Sequence, residues 1–196
     1  ASNVLYGNDG NDTLNDGDIL TSAADYLYGG NGNDYLIAYA GKNELDGGSG
    51  IDTMIGGSNS DTYYVDDNKD FIVELSDTSY DVVYSTAENF EATYNIEEII
   101  LGGSGDISAT GNNVSNIITG NVGNNFLDGG DDPASISTVT GASQVLGLSD
   151  ALYGGEGDDT LVTRSGNDIL DGGEGIDSMA GGDGDDTYNV DNEGDS

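Results

Sequence analysis

One large apolar residue in nine is the first regularity along the chain. Leu14, Leu36, Leu45, Met54 and Tyr63 each hold the eighth place of a nine-residue unit, and Leu161, Leu170, Met179 and Tyr188 repeat the arrangement later. Their neighbours vary, so the last three places of a unit read as a short strand with its middle side chain inward. The six glycine-rich places before it read as a turn. A three-residue strand cannot stand alone, so the pattern predicts stacking, with strands laid left and right alternately into two parallel sheets around a thin core. Two units complete one circuit, which sets turns 18 residues apart directly above one another. From 74 to 117 the pattern changes to alternations such as "DVVYS" and "IEEIIL", which read as strands of the same solenoid on longer rungs. Ile96, Ile99 and Leu101 are expected to face inward there. "DNKDFIVEL" keeps Asp70 and Ile72 in register and extends the first block by one degenerate turn.

The polar places are as ordered as the apolar ones. The units run 7–15 "GNDGNDTLN", 29–37 "GGNGNDYLI", 38–46 "AYAGKNELD", 47–55 "GGSGIDTMI" and 56–64 "GGSNSDTYY". Later come 154–162 "GGEGDDTLV", 163–171 "TRSGNDILD", 172–180 "GGEGIDSMA" and 181–189 "GGDGDDTYN". Glycine at places 1, 2 and 4 lets the backbone take positive φ and turn its carbonyls inward. The sixth place is aspartate in eight of the nine units, Asn43 being the exception. A longer repeat lies over the short one, because Asp25, Asp34 and Asp61 recur at constant spacing as Asp150, Asp159 and Asp186. The expected organisation is a first block at 1–73, a joining β segment at 74–110, and a second block at 111–196. That second block carries an inserted loop near 128–149, which contains Pro133, and stops partway through the pattern, as a piece of a longer chain would.

Composition raises a difficulty that spacing resolves. Asp and Glu number 38 against three basic residues, a formal charge of −35. Such a balance favours disorder unless something neutralises it, and regularly placed acids imply a counter-ion. With no cysteine and no histidine, the chain offers neither thiolate nor imidazole ligands. Carboxylates and backbone carbonyls remain, the ligands of hard cations such as Ca2+. Nucleic acid is excluded as a partner for want of lysine and arginine. No apolar run approaches the ~18 residues of a membrane span.

The units resemble the repeats-in-toxin (RTX) nonapeptide G-G-x-G-x-D-x-U-x, a calcium-binding repeat. The resemblance implies an all-β fold, a right-handed parallel β-roll or β-solenoid, with calcium bound between stacked turns. It also implies a ligand scheme. The lower turn of a pair supplies carbonyls from places 2 and 4 and its sixth-place carboxylate; the upper supplies carbonyls from places 1 and 3 and its own sixth residue. Carried onto this sequence, Asn8, Gly10 and Asp12 meet Gly29, Asn31 and Asp34, and Gly30, Gly32 and Asp34 meet Gly47, Ser49 and Asp52. Tyr39, Gly41 and Asn43 meet Gly56, Ser58 and Asp61, and Gly48, Gly50 and Asp52 meet Val65, Asp67 and Asp70. In the second block Gly155, Gly157 and Asp159 meet Gly172, Glu174 and Asp177, and Arg164, Gly166 and Asp168 meet Gly181, Asp183 and Asp186. Thr163 and Ser165 face the turn below Asp168, and Gly173 and Gly175 face the turn above Asp177.

Some positions depart from the pattern. Asn116 and Asn125 fill the sixth place without charge, so their turns are expected to be held by amides rather than metal. Tyr63 and Tyr188 either widen the core or stand as half-exposed rings. The twelve tyrosines suggest sugar stacking, but most occupy strand places, and paired acids such as Asp158 and Asp159 suggest a glycosidase without any implied pocket. The expectation is therefore a non-enzymatic, monomeric module that binds several Ca2+ ions and folds on them. Resemblance to RTX proteins implies type I secretion from a Gram-negative bacterium, placing the module outside the cell or on its surface. The alternatives are an adhesin module with a cell-surface or glycan ligand, and an accessory domain of a secreted enzyme.

Overall fold

The computed structural model describes residues 1–17, 23–75, 78–130 and 148–196. They form two compact units, Ala1–Glu98 and Ile99–Ser196. The first contains β1 (Val4–Asp9), β2 (Thr13–Asn15), β3 (Tyr26–Asn31), β4 (Tyr35–Ile37) and β5 (Glu44–Ser49). It continues with β6 (Thr53–Gly57), β7 (Thr62–Val65), β8 (Phe71–Glu74), β9 (Val82–Ser85) and β10 (Asn89–Glu91). Odd and even strands go to different sheets, in the order β1-β3-β5-β7-β9 and β2-β4-β6-β8. Every paired neighbour is parallel, so this unit is a β-solenoid.

The second unit repeats the plan. β11 (Glu98–Leu101) begins at the boundary, followed by β12 (Ser108–Thr110), β13 (Ile117–Thr119), β14 (Phe126–Asp128) and β15 (Ala151–Glu156). β16 (Thr160–Val162), β17 (Ile169–Glu174), β18 (Ser178–Ala180) and β19 (Thr187–Asn189) complete it. The sheets run β11-β13-β15-β17-β19 and β12-β14-β16-β18, again parallel. No helix occurs among the described residues, and none is long and apolar enough to cross a membrane. The insertion expected near 128–149 falls largely on 131–147, outside the described residues.

The core is the eighth place, stacked. Leu14, Leu36, Met54 and Ile72 line one sheet of the first unit and Leu27, Leu45, Tyr63 and Val83 the other, all buried. In the second unit Ile99, Ile118, Leu152 and Leu170 face Ala109, Leu127, Leu161 and Met179. Ile96, Ile99 and Leu101 are buried as expected. Each such aliphatic side chain contributes about 1.5–3 kcal/mol when taken from water, so the thin core is sustained by repetition rather than by bulk. Tyr63 is fully buried in the core and Tyr188, in the last strand, is 45% exposed. Strand length differs from the three residues expected. Strands β1, β3, β5, β15 and β17 have six, because the first three turn residues join the ladder, as in Gly30 opposite Gly48 and Asn31 opposite Ser49. Glycine allows this since its backbone adopts extended and left-handed conformations with equal ease.

Candidate metal centre

The sixth-place residues form hydrogen-bonded columns. In the first unit the Asp12 N–H donates to Asp34 Oδ1 (2.8 Å), Asp34 to Asp52 (2.6 Å) and Asp52 to Asp70 (2.8 Å). A second column runs from Asp25 through Asn43 and Asp61 to Asp81, where the Asp81 N–H donates to Glu97. The second unit has Asn116, Asp150, Asp168 and Asp186 in one column and Asn125, Asp159, Asp177 and Asp195 in the other. Each bond joins a backbone N–H of one turn to a side-chain oxygen of the turn above, usually 18 residues away. Such charge-assisted bonds fix one carboxylate oxygen and thereby aim the other.

That other oxygen is the chemical question. Oδ2 of Asp12, Asp25, Asp34, Asp52, Asp159, Asp168 and Asp177 is buried and accepts no hydrogen bond. Unpaired buried carboxylate oxygens cost several kcal/mol each if ionised, so a column of them is tolerated only when a cation meets them. Burial, reinforced by the neighbouring Asp70 and Asp34, pushes the Asp52 carboxyl up to about 6. Burial does the same to Asp159, also to about 6, with Asp177 and Asp158 adding to the effect.

Backbone oxygens converge on the same spaces. The Gly32 N–H donates to the Ser49 carbonyl and the Gly157 N–H to the Glu174 carbonyl, both at 2.8 Å, so place-3 carbonyls point at the turn below. At place 2, Gly48 has φ +78° and a Cβ there would strike the Gly30 carbonyl; at place 4, Gly50 has φ +144° and would strike the Gly32 carbonyl. The two glycines therefore let lower-turn carbonyls press into the upper turn. The donor set is carboxylate and carbonyl oxygen, which fits Ca2+ with its six to eight oxygen ligands.

Several of the expected groups lie together by turn, while of Gly48, Gly50 and Asp52 with Val65, Asp67 and Asp70 the contact seen is Asp52 N–H to Asp70 Oδ1, and the Val65 carbonyl accepts the Thr86 N–H. Asn8, Gly10 and Asp12 lie beside Gly29, Asn31 and Asp34, and Gly30, Gly32 and Asp34 beside Gly47, Ser49 and Asp52. Gly155 and Asp159 lie beside Gly173 and Asp177. The turns of Tyr39 and Arg164 are built differently, whereas Asn8, also a side chain at place 2, takes φ +73° and keeps the glycine-type pairing. The Tyr39 and Arg164 carbonyls already accept N–H bonds from Ser58 (3.1 Å) and Asp183 (2.9 Å). Thr163 Oγ1 donates to the Gly181 carbonyl at 2.8 Å, and the Arg164 guanidinium clasps Asp128. At Asn43 the amide nitrogen donates to the Gly41 and Gly56 carbonyls, each at 3.3 Å. Those carbonyls are two of the oxygens assigned to an ion there. Asn125 Oδ1 accepts the N–H of Asn121 in its own turn, and its amide donates to Asn121 Oδ1 and the Ile107 carbonyl. Asn116 Oδ1 likewise accepts the Asn112 N–H.

Asp25 and Asp150, marked by the longer repeat, stand in the columns although no glycine run precedes them, and so do Asp81 and Asp195, which sequence reasoning missed. The signal that remained was an aspartate two places before a buried apolar residue, as in Asp25 with Leu27 and Asp81 with Val83. Fifth-place side chains form an outer ladder, in which Asn33 Oδ1 accepts the Ile51 N–H at 3.0 Å and Asp158 Oδ1 accepts the Ile176 N–H at 2.8 Å. Two three-acid groups also emerge, Asp61 with Glu74 and Asp81, and Asp177 with Asp191 and Asp195. In the first, burial and then the Asp81 and Asp61 charges push Glu74 up to about 9, and the buried Tyr63 hydroxyl donates to it.

A parallel β-solenoid whose stacked turns aim carboxylate and carbonyl oxygens at one another is a cation-binding repeat protein. The family model for the RTX calcium-binding nonapeptide repeat matches residues 1–18, 21–54, 39–72, 110–132, 147–179 and 162–196. The chain belongs to that family, and its repeats are calcium-binding. No curated protein matches the chain.

Proposed function

We propose that this chain is a calcium-dependent folding and support module of a large secreted protein, exported unfolded through type I secretion by a Gram-negative bacterium. Two calcium-loaded blocks, 1–73 and 111–196, are joined by 74–110. Within them ions lie between stacked turns, held by the sixth-place carboxylates and the carbonyls of Gly30, Gly32, Gly47 and Ser49 in the pair 29–34 and 47–52. The same roles fall to Gly155, Gly157, Gly172 and Glu174 in the pair 154–159 and 172–177. The Asn43 site is the weakest, because an amide already takes two of its carbonyls. The observation that carries this reading is the set of buried, unbonded Oδ2 atoms. In a cell interior poor in calcium, those carboxylates and the charge of −35 oppose folding. Millimolar calcium outside supplies the missing neutralisation, in line with the ~10⁻⁴–10⁻³ M affinities of extracellular modules. Far-UV circular dichroism of the chelated protein tests this: calcium raises the β signal cooperatively, whereas magnesium at the same concentration leaves it low. An equal response to both ions contradicts specific coordination.

A further inference from the structure

On the outer face of the sheet β1-β3-β5-β7-β9, outward residues align in two columns. One runs Val4, Tyr26, Glu44, Thr62 and Val82; the other runs Tyr6, Tyr28, Asp46, Tyr64 and Tyr84. The second column is tyrosine on every rung except the middle one. Tyr6 stacks on Tyr28 with centroids 5.1 Å apart and planes at 15°, and Tyr64 stacks on Tyr84 at 5.3 Å and 14°. In the strand register Tyr28 and Tyr64 flank the Asp46 rung on either side, and the ring face that each pair leaves unstacked is the one toward that rung. The same rung carries Glu44, whose Oε1 accepts the Tyr28 hydroxyl at 3.0 Å. Asp46 is tethered at one oxygen, Oδ1, by the Gly48 N–H at 3.0 Å. The result is a slot with two aromatic walls and a floor of two carboxylates. No stacking requirement of the solenoid calls for it, and neither acid belongs to a sixth-place column.

The dimensions select an occupant. Adjacent strands lie about 4.8 Å apart, so rings two rungs apart stand about 9.6 Å from each other. A carbon resting on each ring takes about 3.7 Å on either side, leaving ~2 Å between those carbons. That is the spread of methyl groups on one tetrahedral nitrogen, whereas a flat guanidinium reaches only one wall at a time. A nitrogen midway sits ~5 Å from both ring centroids, within the ~6 Å over which an aromatic face attracts a cation. The carboxylates of Asp46 and Glu44 supply the complementary charge and at the same time disfavour a ligand that also bears an anionic group. A groove of about 300 Å³ shares Glu44 with the slot and is lined further by Tyr26, Lys42, Asp61, Thr62 and Val82; it gives room for a short neutral substituent, Lys42 disfavouring a second cationic group there. We infer that the slot between Tyr28 and Tyr64 above Asp46 and Glu44 binds a monocationic quaternary ammonium of the choline type, in free solution.

The test uses the full chain folded in saturating calcium at fixed ionic strength. Choline chloride is titrated while tyrosine ring signals are followed by NMR, with arginine, phosphocholine, glucose and phosphatidylcholine vesicles as comparison ligands. Choline should shift the Tyr28 and Tyr64 rings saturably. Arginine and phosphocholine should bind at least about tenfold more weakly, and glucose and vesicles should have no effect. Tyr64→Ala and Asp46→Asn should each weaken choline at least about tenfold, while Tyr64→Phe retains it, because the ring rather than the hydroxyl makes the wall. Calcium stoichiometry measured on every variant reports that the fold and the ions between turns are intact, so loss of choline binding alone speaks only to the slot. Absence of a choline shift, equal binding by Tyr64→Ala, or a stronger response to glucose overturns the inference.

Discussion

Replacing Asp52 by Asn separates the two forces that act on a sixth-place carboxylate. Asp52 is fully buried, Oδ1 accepts the Asp34 N–H at 2.6 Å, and its own N–H donates to Asp70 Oδ1 at 2.8 Å. Oδ2 meets no donor. Burial raises its pKa from 3.8 to about 6, which disfavours the ionised form by about 3 kcal/mol. The sign follows from linkage. A carboxyl whose folded pKa is raised holds its proton more tightly when folded, so the calcium-free fold loses stability as pH climbs from about 4 to 6 and has lost it at pH 7. Asn keeps Oδ1 in place and removes the charge, at the expense of turning a charge-assisted bond into a neutral one, about 1 kcal/mol. The calcium-free fold at pH 7 should therefore gain ~2 kcal/mol from Asp52→Asn. With calcium the effect reverses, since the two turn pairs that share Asp52 each lose a charged ligand oxygen. Circular dichroism in chelator should show more β signal than the parent, while isothermal titration should show a higher calcium midpoint and fewer ions bound. Unchanged stoichiometry, or less β signal in chelator, would refute the role given to Oδ2.

Three further outcomes are expected. Asn43→Asp should add calcium binding, because it removes the amide that donates to the Gly41 and Gly56 carbonyls and supplies a charged oxygen; native mass spectrometry counts the ions, and an unchanged count contradicts it. Gly50→Ala should cost ~3 kcal/mol of calcium-loaded stability in urea melts, since it forces both a left-handed backbone and a clash with the Gly32 carbonyl, whereas Gly103→Ala, with φ +76° and open space, should cost ~1 kcal/mol. In chelator, lowering the pH from 7 to 5 should raise the β signal, as Asp52 and Asp159, both at about 6, take up protons in the fold; a flat profile contradicts the burial argument.

The nine-residue frame was readable because three demands recur at fixed places. Leu36 and Leu45 must be buried, Asp34 and Asp52 must cap the turn below, and Gly48 and Gly50 must make room for carbonyls. Those demands leave letters behind. Where a demand is met by other chemistry the letters vanish, as at Asp25 and Asp81, which hold column positions without glycine. Tyr63 is covered by the Val83 rung, a neighbour that its place in the repeat alone does not encode. The six-residue strands were missed for a similar reason, because pairing at Gly30 and Asn31 is made by backbone alone and has no side-chain signature. Partner choices such as Asn43 with Gly41 and Gly56 depend on three-dimensional reach across turns.

The central claim is that calcium sits between stacked turns on the unbonded carboxylate oxygens. Long-wavelength anomalous diffraction from crystals grown in calcium locates such ions without reference to any ligand scheme. The account predicts anomalous peaks between Asp34 and Asp52, between Asp52 and Asp70, and between Asp159 and Asp177, with none in the turns of Asn116 and Asn125. Peaks confined to the protein surface, or peaks at the asparagine turns and none at Asp52, would contradict it.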